Sequence, residues 1–88
     1  MSVTVELTYE MSKALGQVRI EVEASDVPGA VTATRQMFAG GQGGGDFELL
    51  RARAAVAVNG VLVRHRDEGG TSLKDGDRVS FVKAAAGG

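Results

Sequence analysis

Apolar and polar residues alternate through Val3-Thr4-Val5-Glu6-Leu7-Thr8. A period of two puts Val3, Val5 and Leu7 on one face, and so predicts a strand with that face buried. The same alternation returns at Val18, Ile20 and Val22, separated by Arg19, Glu21 and Glu23. It predicts a second half-buried strand, paired with the first as a hairpin. Residues 11–16 are expected to form the connection, with Gly16 as the turn residue and Leu15 tucked beneath. The period then changes. Ser25-Asp26-Val27-Pro28 carries a helix-start pattern, because Ser25 or Asp26 can cap free amides and proline suits the first turn. Val27, Ala30, Val31, Thr34, Met37 and Phe38 follow at helical spacing, with Arg35 and Gln36 on the other side. Gly40-Gly41 should end this helix.

Gly40-Gly41-Gln42-Gly43-Gly44-Gly45 could in principle cradle a phosphate. It lacks the Gly-Lys-Ser/Thr ending of a nucleotide loop, and it follows a helix where a dinucleotide loop precedes one. A flexible linker is the better reading. Phe47, Leu49 and Leu50 are expected to bring the chain back to the core in a short turn of helix. Ala54-Ala55-Val56-Ala57-Val58, then Asn59-Gly60, then Val61-Leu62-Val63 predicts a tight hairpin, since both central turn positions need positive φ. Arg64-His65-Arg66-Asp67-Glu68 lies beside a polar loop, Gly69-Gly70-Thr71-Ser72, with His65 exposed and without a metal or triad companion, and Leu73 is read as an isolated core residue. Lys74-Asp75-Gly76-Asp77 is a turn rather than a calcium loop, because the rest of the ligand series is missing. It launches a last strand, Arg78-Val79-Ser80-Phe81-Val82, with Val79 and Phe81 facing inward. A single long helix can bury its apolar stripe only against the sheet. Placing the last strand parallel to the first gives a mixed sheet of four to five strands wrapped over one main helix. This is the α+β β-grasp arrangement.

Composition narrows what such a domain can do. A chain of 88 residues is one domain, and at this size it buries only about 60–65% of its unfolded surface, which leaves little room for a deep pocket. There is no cysteine, hence no disulfide, thiolate nucleophile or thiolate metal site, in keeping with a cytoplasmic protein. No signal-peptide pattern opens the chain, and no apolar run approaches the ~20 residues of a membrane span. Net charge is -1, which with few aromatic residues speaks against a nucleic-acid partner. The charge is uneven: residues 1–50 hold three Lys/Arg and seven Asp/Glu, residues 51–88 seven and four. The second half is thus mildly basic, which can be plain surface charge or can steer an acidic partner.

After Lys83 the chain reads Ala84-Ala85-Ala86-Gly87-Gly88, with no side chain larger than a methyl. Extended, five residues reach about 17 Å. A domain of residues 1–83 with a flexible tail of residues 84–88 is therefore expected. Such a tail suits threading into a narrow active site, since glycine passes where other residues clash. The alternative is an ordinary frayed end.

Three stretches in order, Val56-Ala57-Val58-Asn59-Gly60, Leu73-Lys74-Asp75-Gly76-Asp77-Arg78-Val79-Ser80-Phe81 and the final Gly87-Gly88, resemble the ubiquitin-like sulfur-carrier family of MoaD and ThiS proteins. The strong match covers residues 54–88. The resemblance implies that the protein is no enzyme but a co-substrate, able to act as the small subunit of a synthase. A ubiquitin-activating-like adenylyltransferase would use ATP and magnesium to adenylate the Gly88 carboxylate, and the carrier itself would bind no cofactor or metal. A sulfurtransferase or desulfurase would then supply sulfur to form a thiocarboxylate, for an acceptor synthase. Ala84, Ala85, Ala86 and Gly87 would thread into the partner, and Arg78, Val82 and Lys83 would lie on the partner surface. Two features divide the family's branches. Val82-Lys83-Ala84 stands where molybdopterin-type subunits carry prolines and is closer to thiazole carriers, whereas the glycine loop and residues 47–53 suit larger molybdopterin-type or cysteine-pathway carriers. The receiving pathway stays open among molybdopterin, thiazole, cysteine and other thio-metabolites. Competing readings are a ubiquitin-like modifier forming isopeptide bonds through Gly88, a β-grasp interaction module with an idle tail, and a fragment of a longer enzyme.

Overall fold

A computed structural model describes residues 1–40 and 47–83. The strands are β1 (Ser2–Glu6), β2 (Arg19–Glu23), β3 (Ala54–Val58), β4 (Val61–Val63) and β5 (Arg78–Lys83). The helices are α1 (Tyr9–Leu15), α2 (Val27–Gly40) and α3 (Phe47–Ala52), with a 3-10 turn at His65–Gly70. The sheet order is β2-β1-β5-β3-β4. β1 runs antiparallel to β2 and parallel to β5, while β3 is antiparallel to both β4 and β5. This is the β-grasp topology expected from the sequence, with the last strand inserted between the two hairpins.

The alternating residues behave as their spacing requires. Val3, Val5, Leu7, Ile20, Val22, Val79 and Phe81 are buried beneath α2, whose Val27, Ala30, Val31, Thr34 and Phe38 complete the core. Thr34 is polar, but its hydroxyl donates to the Ala30 carbonyl at 2.8 Å, so it enters the core satisfied. Asp26 accepts from the Gly29 amide at 2.8 Å and so caps the start of α2. Phe47 of α3 links the far end of α2 to the sheet, its ring centroid 5.1 Å from Phe38 and 6.2 Å, edge-on, from Phe81. Leu73 is buried, as predicted for a single apolar residue in a polar stretch.

Four expectations are corrected. Residues 11–16 belong to a helix rather than a plain connection: the Thr8 hydroxyl accepts from the Met11 amide at 3.1 Å, and Gly16 closes α1 in the left-handed conformation at φ 81°. Met11 is fully buried, with Ala14 and Leu15 packed beside it. Val18 is 67% exposed, because β2 begins one residue later; its carbonyl still accepts from Leu7. Leu49 is exposed on the outer side of α3, which is too short to bury two faces. Finally, Gly69 and Gly70 of the expected loop belong to the 3-10 turn that starts at His65, anchored when Glu68 meets Arg51. His65 is exposed as expected, its Nδ1 3.6 Å from Glu68. The glycine-rich linker, at 41–46, lies outside the described residues.

Candidate functional site: the launch of the last strand and the face beside it

Two turns set where β5 starts. Asn59 and Gly60 both have positive φ, 50° and 85°, as the tight β3–β4 turn demands. Gly76, at φ 86°, makes the second turn. Side chains lock the two together. Asn59 Nδ2 donates to Asp77 Oδ1 at 3.0 Å, and Asn59 Oδ1 accepts from the Arg78 amide at 3.0 Å. Asp77 Oδ2 accepts from the Lys74 amide at 2.8 Å. The second aspartate, Asp75, accepts from the Ser2 amide at 2.8 Å and so holds the start of β1. The hydrogen bonds from Asn59 and from the Lys74 amide hold Asp77 below the usual carboxylate range. Both aspartates are thus spent on backbone and amide donors, and among the described residues no cluster has the makings of a metal site. The Val-Asn-Gly and Asp-Gly-Asp stretches, read separately in the sequence, are one hydrogen-bonded unit that fixes the position and direction of β5.

Beyond that unit, β5 runs the length of the sheet to Lys83, which pairs with Ala54. Its side chains alternate. Val79 and Phe81 point into the core, so Arg78, Ser80 and Val82 occupy the opposite face. In register with Val82 stands Ala55, and Ala57 lies between Ser80 and Leu62. Leu62 is 68% exposed. Ala55, Ala57, Leu62 and Val82 therefore give the outer face an apolar side toward β3 and β4. Sequence reading named Val82 but not Leu62 and the alanines; the tight turn at Asn59-Gly60, which sets the β4 register, was the available signal. The other half of the face is polar. Glu21 accepts from Ser2 and Thr4 hydroxyls at 3.0 and 2.8 Å, and Glu6 accepts from Ser80 at 2.9 Å with Arg78 Nε at 3.5 Å.

The structure thus places Arg78 and Val82 on one face and Lys83 at the strand's end. Arg78 already has an acidic neighbour in its own chain. Ala84, Ala85, Ala86, Gly87 and Gly88 lie outside the described residues. No helix of the described residues is long and apolar enough to cross a membrane.

A five-stranded sheet in this order over one long helix is the ubiquitin-like β-grasp fold. The ThiS family model matches residues 5–88, and the chain belongs to that family. No curated protein matches. Among solved structures, the small archaeal modifier protein 1 of Methanosarcina acetivorans is similar at a TM-score of 0.78 and 18% identity, covering 100% of this chain and 97% of that one. A Haloferax volcanii protein gives 0.70 and 27%, covering 100% and 87%. In a Helicobacter pylori complex of subunits 1 and 2 of molybdopterin-converting factor, one chain gives 0.64 and 23%, with 100% of both chains covered.

Proposed function

We propose that the chain is a ubiquitin-like carrier whose reacting group is the Gly88 carboxyl, activated by a separate adenylyltransferase that uses ATP and magnesium. The observation that carries this is the family match running through residue 88, which includes the Gly87-Gly88 pair. A carboxylate is a poor electrophile. Its oxygen attacks the α-phosphorus of ATP, pyrophosphate leaves, and the acyl-adenylate has AMP as a leaving group. On this reading residues 1–83 are the handle that the partner grips and residues 84–88 the reagent that it receives. The apolar outer face around Val82 and Leu62 is the natural docking area, because it adjoins the strand that ends at the tail.

Two fates follow activation. In conjugation, a lysine ε-amine attacks the carbonyl, AMP leaves, and an isopeptide bond forms. The full-length likeness to archaeal modifier proteins favours this fate. In sulfur transfer, the terminal sulfur of a sulfurtransferase or desulfurase persulfide attacks the carbonyl and AMP leaves. A second thiol then attacks the resulting acyl disulfide at the enzyme's sulfur, forming a disulfide and releasing the thiocarboxylate for an acceptor synthase, a fate that the family's name and the likeness to a molybdopterin-converting subunit support.

The test is intact-mass analysis after incubation with ATP, magnesium, the adenylyltransferase of the same organism and a sulfide source, together with a search of cell digests for Gly88 on lysine. A gain of one sulfur for one oxygen establishes sulfur transfer, and a Gly88-lysine bond establishes conjugation. Absence of both with an enzyme proven active overturns the proposal. Gly88→Trp is expected to unfold at the wild-type temperature and to release no pyrophosphate.

A further inference from the structure

Where β5 ends, a cleft of about 260 Å³ opens between α1 and α3. Its lining is Thr8, Tyr9, Glu10, Leu50, Arg53 and Lys83. We propose that this cleft seats an acidic side chain of the adenylating partner and so holds that enzyme beside the tail. The inference rests on the reading of Gly88 as the activated carboxyl.

Three features support it. Tyr9 is 75% exposed although Met11, two residues on, is fully buried, so α1 presents an aromatic surface outward. Lys13 Nζ lies 5.4 Å from the Tyr9 ring centroid, so the ring already carries a cation beside it. The second feature is the pair of cations in the lining. β3 and β5 pair Ala54 with Lys83, which brings Arg53, one residue before Ala54, to the same end of the sheet. Arg35 and Arg51 are engaged by Glu48 and Glu68, whereas Arg53 and Lys83 form no ion pair among the described residues. Third, Lys83 directly precedes residue 84, so the cleft adjoins the point where the tail leaves the last strand. The adenylating enzyme is the first to take up that tail.

The lining also states what fits. Tyr9 and Leu50 offer apolar walls, and Arg53 and Lys83 put two cations in the same lining to attract a carboxylate. Thr8 is occupied in capping α1. Glu10 is the one acid of the lining, and it opposes a second carboxylate at its side. The fitting element is therefore a single Asp or Glu with an apolar neighbour, rather than a run of acids.

The test uses the full chain with the adenylyltransferase of the same organism, followed by ATP-pyrophosphate exchange over a series of salt concentrations. Arg53→Glu, Lys83→Glu and Tyr9→Ala are compared with Arg66→Glu, an exposed charge reversal on the 3-10 turn. Each cleft variant should raise KM for the carrier about tenfold at low salt with kcat unchanged, and the charge variants should approach wild type at high salt. Arg66→Glu should match wild type throughout. Cleft variants indistinguishable from wild type, or from Arg66→Glu, overturn the inference while leaving the activated tail intact. A wild-type chain that supports no exchange overturns the parent reading, and the inference with it. Melting temperatures equal to wild type confirm that the variants are folded.

Discussion

At the scale of single residues, the chain spends its polar side chains on its own backbone. Asp77 is the clearest case, accepting from Asn59 and from the Lys74 amide. Because its folded pKa is lowered, ionised Asp77 contributes stability above the unfolded carboxylate value of about 3.9, and that contribution is lost as pH falls through the lower folded value. Asp77→Asn should therefore melt below wild type at neutral pH, and the gap should narrow under strongly acidic conditions, as thermal melts across pH would show. Leu73 makes a contrasting case, an apolar side chain buried alone between two polar stretches. Leu73→Ala should cost about 2–5 kcal/mol, read from urea unfolding, because neighbours fixed by turns collapse little into the cavity. Its burial was legible from sequence, since nothing else in residues 69–78 is large and apolar.

At the scale of elements, α1 shows where sequence patterns mislead. Seven residues form a marginal helix by themselves. It stands because Thr8 caps one end, Gly16 the other, and Met11, Ala14 and Leu15 reach the core. Those three lie at helical spacing, so a signal was present. It is short, and the strong alternation on either side makes a plain hairpin connection the simpler reading. Removing either cap should weaken the domain: Thr8→Ala by about 1 kcal/mol, and Gly16→Ala by about 1–2 kcal/mol since alanine is strained in the left-handed region. Both should lower the urea midpoint with an unchanged slope. The β3–β4 hairpin, by contrast, was fully legible, because a two-residue Asn-Gly turn leaves one register open to its strands.

At the scale of the whole molecule, one end of the sheet is closed by a link that no local pattern announces. Arg51 of α3 donates to the Ala54 carbonyl at 3.1 Å, pairs with Glu68 of the 3-10 turn, and lies over the Phe81 ring at 5.7 Å. It joins four segments next to the strand that ends at the tail. Both partners are largely buried, so Glu68→Gln should cost about 1–3 kcal/mol by leaving the guanidinium poorly compensated. Hydrogen exchange should locate the loosening in α3 and residues 65–70.

By itself the sequence determined the strands, the long helix, the two turns and the family resemblance, because these depend on periodicity and on local backbone needs within a few residues. It also marked Gly88 as the candidate reacting group and Arg78, Val82 and Lys83 as candidate surface. Tertiary structure alone decided that Asn59 and Asp77 form one unit, that Leu62 joins Val82 on a shared apolar face, and that Tyr9, Arg53 and Lys83 meet in one cleft. Those residues are separated by up to 74 positions along the chain. They meet because β5 inserts parallel to β1 and antiparallel to β3, a long-range pairing whose register depends on the assembled core.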